Sequence, residues 1–397
     1  MKSYHKEDYF IFKDQILFNL FILTTLTNTD FPRELILYIN TIFLWLSSKK
    51  TNFINTGEGF IILKTKDELF GMGNNAYGQL GLGDDKKRDT YNFICRNVIS
   101  FSCGVGHLMV LKDEGLFTCG GNHYGQLGLG MLERSSSIIL TKVDISNVFL
   151  VDCGDIFSYI LTKEGLYSCG GNEHGQLGLG NQKDSFSLQK INISRVTTLS
   201  CGGYHILIIS NGKLYGCGYN RHNQLGLLNS SLKDFKRTYF HEIDIKNVLS
   251  ISCGKYHSMI LTMDGLFSCG DNSKTQCGPE IWRSLGCYGN DNIRFFTKLN
   301  INHIYSFHCG SENTLVLTNQ GLFMYGTIIE IDHQEKEYYC YSLPIKFEEK
   351  HILTDIIDFY CNDQYIFILN ERGVYGRGKL SCSDEIDYLF KKIDFNK

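Results

Sequence analysis

Short runs in which apolar and polar residues alternate recur along most of the chain. In CGVGHLMVLKDEGLFTCG, residues 103–120, one such run leads into a turn and a second run returns. Alternation with a period of two is typical of β-strands, and two strands joined by a short turn form a hairpin. The glycine after each turn is predicted to occupy one shared position with a positive φ. These glycines are Gly115, Gly165, Gly212, Gly265, Gly321 and Gly373.

The hairpins recur with a period of about fifty residues, which is typical of repeat architectures. Six begin at a cysteine, at positions 103, 153, 201, 253, 309 and 361, and a weaker one begins at Thr56. A further strand recurs seven times, as YNFICR, LTKVDI, LQKINI, FHEIDI, FTKLNI, SLPIKF and FKKIDF, and runs such as NVFLVDCG lead into the next hairpin. Seven units of about four strands predict an all-β fold, a seven-bladed β-propeller.

The motif GQLGLG occurs three times, at 78–83, 125–130 and 175–180. Glycine-rich loops bind phosphate when they open a helix, but a polar turn and another strand pattern follow this motif. We therefore predict a structural role: the glycines allow a tight turn between the hairpin and the next strand of the same blade. Unit four keeps only NQLGLL, unit five only QCG, and units six and seven have lost the motif.

The repeated pattern CGxxHxxxLTxxGxLFxCGxNxxGQLGLG resembles that of the regulator of chromosome condensation family, over about residues 52–397. The resemblance implies a propeller domain at 51–397 that binds other proteins. The founding member is an exchange factor for the Ran GTPase and also binds nucleosomes. By this resemblance, the loops after each Cys-Gly would form the partner-binding face. They carry Asp155, Tyr204, Tyr256, Glu312 and Asp363.

Two departures from the family bear on exchange activity. Unit three has no insertion where the family's wedge is expected, and the chain has no basic N-terminal tail. We therefore expect weak or absent exchange activity on Ran itself, with another small GTPase as the open possibility. The extended connection at 279–296 adds Trp282 and Arg283, residue types that anchor interfaces, although it also fits a surface insertion without a partner.

Histidines and cysteines follow the repeat, which indicates structural roles. His107, His205 and His257 share one position and are predicted to be hydrogen-bonded structural groups. The cysteines before glycines are predicted to be small buried thiols in a reducing compartment. The sequence contains no metal-ligand spacing, no nucleophile beside a base and no cofactor motif, so we predict no metal, no cofactor and no covalent or acid–base catalysis.

Composition limits the partners. The formal net charge is −3 and the pI is near 6.5, so no general affinity for nucleic acid is expected. The apolar run at 16–26 is too short to span a bilayer, and the opening residues lack the pattern of a secretory signal. We expect an intracellular protein, cytoplasmic or nuclear, without a membrane partner.

Residues 1–50 lie outside the repeats and are predicted to include a helix. Asp30 is a candidate N-cap, and Pro32 and Glu34 fall in the first turn. FPRELILYI, from Phe31 to Ile39, resembles the start of F-box motifs, which dock onto the Skp adaptor of ubiquitin ligases. The segment is therefore either a helical cap on the propeller or an F-box-like adaptor of a substrate-recognition subunit.

The two ends of the propeller domain predict how the ring closes. FKKIDF, at 390–395, has no following hairpin, and residues 52–59 have no preceding strand. Pairing the two segments in one blade would remove two exposed strand edges.

Overall fold

The computed structural model describes a β-propeller domain, and the regular secondary structure of its described residues consists of strands. The described residues are 53–131, 135–227, 235–278, 292–332, 335–346, 356–362, 365–378 and 387–393. The helix, cap and F-box-like segment expected within 1–50 lie outside them. So do three residues assigned to partner binding, namely Trp282, Arg283 and Asp363.

The strands form seven antiparallel sheets of four strands, and each sheet is one blade whose strands follow chain order. The first strands of successive blades contact one another around the axis, so the predicted seven-bladed propeller is confirmed. Blades 1 to 4 contain β1–β4 (Ile54–Gly57, Phe60–Thr65, Glu68–Gly73, Arg88–Cys95), β5–β8 (Val98–Cys103, His107–Lys112, Gly115–Gly121, Ser136–Lys142), β9–β12 (Val148–Cys153, Phe157–Thr162, Gly165–Gly170, Ser185–Lys190) and β13–β16 (Val196–Cys201, His205–Ser210, Lys213–Tyr219, Lys236–Ile243). Blades 5 to 7 contain β17–β20 (Val248–Cys253, His257–Thr262, Gly265–Gly270, Ile293–Lys298), β21–β24 (Ile304–Cys309, Asn313–Thr318, Gly321–Asp332, Glu335–Lys346) and β25–β28 (Ile356–Cys361, Tyr365–Asn370, Gly373–Gly378, Asp387–Lys392).

The second and third strands of each blade form the predicted hairpins, with one exception in the turn position. Gly115 pairs with Lys112 and has φ 126°, and its counterparts in four other blades behave alike. In blade 4 the residue paired with Ser210 is Lys213, so Gly212 lies inside the turn instead. Asn211 and Gly212 both have positive φ, 51° and 73°, which is the geometry of a type I′ turn.

The outer strands begin and end earlier than their sequence pattern predicts. LTKVDI, at 140–145, was expected to be a strand, but β8 ends at Lys142. The amide of Ile145 donates to the carbonyl of Val143 over 2.9 Å, a three-residue γ-turn that recurs in blades 3 and 4. Val143 is nonetheless buried in the core, so its apolar character reflects packing under a turn.

The GQLGLG segments turn between the third and fourth strands of a blade, as predicted, and they also reach the next blade. We call them latch loops. Gly83 donates its amide to the carbonyl of Ile138 in blade 2 over 2.9 Å, and Gly130 donates to Phe186 in blade 3 over 2.9 Å. Gly180 makes the same bond to Thr238 in blade 4 over 2.8 Å. The glycines therefore allow the tight turn and also bring the loop backbone into contact with the next blade.

The repeated histidines are buried structural groups, as predicted. His107 Nε2 lies 2.9 Å from Ser158 Oγ in the next blade, and this hydroxyl donates to the carbonyl of Gln126 over 2.8 Å. His205 and His257 make the equivalent bonds to Ser258 and Thr314, over 2.8 and 3.0 Å. Burial lowers the pKa to about 3 for His107 and His205 and to about 4 for His257. The imidazoles that form these hydrogen bonds between blades are therefore neutral at pH 7.

Small polar side chains and thiols line the inner strands. Asp152 accepts hydrogen bonds from Ser102 Oγ and from the amides of Cys153 and Cys201, at 3.0, 3.0 and 2.8 Å. Burial raises the pKa of Asp152 to about 6 although these bonds lower it. All cysteines with described side chains are free thiols and mostly buried, and burial raises the pKa of Cys103, Cys153 and Cys201. They fit the predicted role as structural thiols.

The predicted pairing of the two chain ends in one blade is wrong. β28 pairs with β27, and β1 pairs with β2, so each blade is continuous in sequence. Side chains close the ring at the junction of blades 7 and 1, which we call the seam. Asn362 Nδ2 donates to Thr56 Oγ1 over 2.6 Å, and Tyr360 Oη lies 3.1 Å from the same hydroxyl. Apolar residues of both blades, including Ile54 and Phe367, share one core cluster.

Candidate partner-binding face

One face of the propeller collects two sets of loops. Neighbouring strands in a blade run in opposite directions, so the loops after the first and third strands emerge on the same side. We call this side the loop face. Asp155, Tyr204, Tyr256 and Glu312 all lie in loops after first strands, as the family resemblance implies.

Backbone hydrogen bonds tie the loops after the first strands to one another. Each bond joins an amide in one blade to a carbonyl in the next blade, which holds the loops in a fixed order around the axis. The donor and acceptor pairs are Glu58 with Val105, Val105 with Asp155, Asp155 with Gly203, and Lys255 with Ser311, at 3.0 to 3.2 Å. The loop face is therefore a rigid base for binding.

Gly203 permits a close approach of loops from three blades. A Cβ at this position would lie 3.0 Å from Lys255 Cγ in blade 5 and 3.2 Å from Asp155 Oδ2 in blade 3. Because Gly203 has no side chain, Asp155 and Lys255 can approach the blade 4 loop from its two sides. Tyr204 is the next residue of that loop.

A cluster of five rings covers blades 3 to 5 on the loop face. Tyr204 and Tyr256 have centroids 6.4 Å apart and planes within 16° of parallel. His174 lies 5.3 Å from Tyr204, and His222 lies 5.0 Å from Tyr256. Tyr219 contacts His174, His222 and Tyr256 at 4.6 to 6.0 Å. We call these five residues the aromatic cluster.

Carboxylates surround the cluster. Burial first, and the nearby Asp155 second, raise the pKa of Tyr204 to about 12. Burial also raises the pKa of Tyr256, Lys255 opposes this, and Asp155 and Glu312 add to it. The four described residues assigned to partner binding are therefore close enough to interact electrostatically.

The histidines and Tyr219 were not predicted as site residues. His174 and His222 fall at the position before the first glycine of the latch motif, where blades 1 and 2 carry Tyr77 and Tyr124. The aligned repeats already show a ring residue at this loop position in four consecutive blades, which is a sequence signal for the aromatic cluster. The family resemblance assigns the partner-binding face to the loops after first strands, so this position was not predicted.

Blade 6 replaces its latch loop with a paired extension. β23 and β24 are 12 residues each, about twice the length of most other strands, and their pairing continues to Asp332 and Glu335. The extension starts beside the predicted site, because the amide of Thr327 donates to the carbonyl of Glu312 over 3.1 Å. At about 3.4 Å per residue, it projects about 20 Å from the loop face.

The described residues contain neither a metal site nor a membrane-spanning helix. No group of three or more metal-ligating side chains occurs among the described residues. Within the same ranges, no helix has the length and hydropathy needed to cross a membrane.

The fold and the loop face define a repeat propeller with hydrogen-bonded loops on one side. The model of the RCC1-like domain matches residues 68–379, and the chain belongs to this family. Solved structures with a similar fold include human WBSCR16, with a TM-score of 0.70, 18% identity, and coverage of 83% of this chain and 95% of that one. Prp20p from Saccharomyces cerevisiae, which binds Gsp1p and histones, has a TM-score of 0.71 at 21% identity, with coverage of 84% and 87%.

Similarity to curated proteins is confined to a short stretch. A mouse RCC1-like G exchanging factor-like protein is 32% identical over 75 residues, which are 19% of this chain and 16% of the mouse protein. The RCC1 repeat-containing protein C10F6.04 of Schizosaccharomyces pombe is 36% identical over 69 residues, 17% of this chain and 20% of that protein. The matched stretch thus spans only about a fifth or less of each relative.

Proposed function

We propose that the chain is a non-catalytic protein-binding propeller whose loop face binds a small GTPase and regulates its nucleotide exchange. The observation that carries this proposal is the aromatic cluster, flanked by carboxylates, on loops that are hydrogen-bonded around the axis. Rings at the centre of a rigid surface are typical anchors of protein interfaces. The similarity to exchanging factor-like proteins and to Prp20p, which binds Gsp1p, supports the class of partner.

Such a protein accelerates exchange without reacting groups. It binds the nucleotide-free GTPase more tightly than the loaded form, and by linkage it weakens nucleotide binding by the same factor. Blade 3 closes with an ordinary latch loop, which supports the expectation of weak or absent exchange activity on Ran itself. The blade 6 extension rises from the loop face beside Glu312 and is long enough to reach a bound protein.

The test is release of labelled GDP from a panel of purified small GTPases, with Ran included. We expect accelerated release from at least one GTPase other than Ran at substoichiometric protein. Double substitution of Tyr204 and Tyr256 by leucine should abolish the effect, and Tyr77→Leu, on the same face but outside the cluster, should not. Absence of binding to every GTPase, together with binding to purified Skp and cullin subunits, would contradict the proposal and favour the ubiquitin-ligase alternative.

A further inference from the structure

We infer that the aromatic cluster binds a cationic side chain, preferably arginine, presented by the partner protein. This inference rests on the proposed function, because it assigns the chemistry that the loop face recognises. It concerns the pair Tyr204 and Tyr256 and the charged groups around them.

The two tyrosine rings offer the π surface that a cation needs. Both side chains are half-buried on the loop face. A cation within about 6 Å of a ring centroid is attracted by the negative face of the ring. Lys255 already shows this geometry, with Nζ 5.7 Å from the centroid of Tyr256. A cation therefore fits over this ring.

The charges near the rings favour a positive ligand. Asp155 and Glu173 both raise the pKa of Tyr204, and Asp155 and Glu312 raise that of Tyr256, which places three carboxylates within electrostatic reach of the pair. Lys255 opposes these carboxylates at Tyr256, and Lys236 acts on His174 of the same cluster. Negative charge thus exceeds positive charge around the rings, and complementarity selects a basic segment.

Arginine suits the site better than lysine. The guanidinium group is planar, stacks on aromatic faces and is more weakly hydrated than an ammonium group. It also donates to two carboxylate oxygens at once, and Asp155 and Glu312 approach the cluster from different blades. A lysine would satisfy the charge but would stack poorly on the rings.

Lys255 has a second role under this inference. Its ammonium group occupies the ring that the partner's cation would contact, so it competes with that cation and repels it. Replacement of Lys255 by glutamine should remove the competition, because it puts a neutral polar side chain, one atom shorter, in place of the cation. Tighter binding of a cationic ligand by this variant is an outcome that a purely apolar interface would not produce.

The test uses the full chain and two fluorescently labelled peptides that differ only in arginine or the isosteric neutral citrulline within a glycine-serine background. We expect measurable binding of the arginine peptide at low salt and at least tenfold weaker binding of the citrulline peptide. The double variant Tyr204→Leu and Tyr256→Leu should lose about tenfold in affinity for the arginine peptide, Lys255→Gln should gain about threefold, and Tyr77→Leu should be unchanged. Each variant is checked for unchanged thermal unfolding.

The outcomes separate this inference from the proposed function. Equal binding of the two peptides, or undiminished arginine binding by the double variant, would overturn the inference even if a GTPase is bound and exchanged. Arginine-dependent binding that is lost in the double variant, without exchange on any GTPase, would support the cationic site and refute the exchange role.

Discussion

Blades 1 to 3 carry latch loops, whereas blades 5 to 7 have lost most or all of the latch motif. Each of these latch loops donates a backbone hydrogen bond to the outer strand of the next blade. In blade 5, a Cβ on Gly278 would contact Leu299 of the same blade. Blade 6 replaces the loop with a paired extension. The inner connections persist in both groups, since Asn313 bonds blade 7 and Asn362 bonds blade 1.

The difference shows that the ring has two sets of connections with separate sequence requirements. The inner set uses a side chain at the histidine position, which in four blades is His or Asn and bonds the next blade. Phe60 and Phe157 stand at this position in blades 1 and 3, so a polar group is not needed there in every blade. The outer set needs glycines, because the loop backbone lies directly on the next blade. Blades without the latch motif do not need a loop of fixed length, and one of them, blade 6, carries the paired extension.

The largest effect is expected from filling the space between a latch loop and the next blade. Gly125 has φ 89°, and a Cβ there would overlap the backbone at Phe186. Gly125→Ala should therefore lower the free energy of unfolding by about 3 kcal/mol, from backbone strain plus displacement of the loop. Gly130→Ala is the matched control, since Gly130 has φ 78° but no atom within 4 Å, and it should cost about 1 kcal/mol. Urea unfolding of both variants measures the difference, and equal losses would show that the latch contact adds nothing.

The second largest effect is the pH dependence of the free energy of unfolding, which tests the histidine bonds between blades. His107, His205 and His257 have lowered pKa values when folded and bind protons readily only when unfolded, so their contribution is complete above about pH 6.5 and is lost as the pH falls toward 4 to 3. Asp152 has a raised pKa of about 6 and acts in the opposite direction between about pH 4 and 6. Three histidines outweigh one carboxyl group, so the free energy of unfolding should fall by on the order of 2–3 kcal/mol between pH 6 and pH 5.

The control for this pH effect comes from blade 6, where Asn313 occupies the histidine position. His107→Asn should lower stability at pH 7 and reduce the pH slope between pH 6 and pH 5 by about half, because Asp152 already offsets part of the histidine contribution. A slope that is unchanged in this variant would mean that the buried imidazole is not the group that titrates.

The smallest of these stability effects concerns the seam. Thr56→Val removes the hydroxyl that contacts Asn362 and Tyr360 and preserves the shape of the side chain. We expect a loss of about 1–2 kcal/mol, because two half-buried polar groups lose a hydrogen-bond partner. Thr90→Val, at an exposed position in β4, should change stability by less than about 0.5 kcal/mol. A seam variant as stable as this control would mean that the apolar cluster alone closes the ring.

Much of the fold was predictable because the repeat presents the same physical problem several times. The alternating strands, the turn glycines and the buried histidines follow from local pattern and period. Features that depend on the neighbouring blade were missed, since a sequence pattern does not show what lies across an interface. The latch contact of Gly83 with Ile138 and the closure of the ring at Thr56 are both of this kind.

The candidate site was predictable in part for the same reason. Asp155, Tyr204, Tyr256 and Glu312 were assigned to one face from the family resemblance, and the loops bring them together. His174 and His222 join them only because loops after the third strand emerge beside loops after the first strand of the next blade. That adjacency is a property of the folded ring.

Hydrogen exchange of the full chain, with and without the GTPase selected by the exchange panel, tests most directly whether the loop face is the binding surface. Local protection on binding reports which backbone segments a partner covers. We predict slowed exchange in the loops around Tyr204 and Tyr256 and in the segment from Tyr219 to Gln224, with no change in the outer strands β8 and β12. Protection confined to the outer strands or to the opposite face, with the loops around Tyr204 and Tyr256 unaffected, would contradict the account.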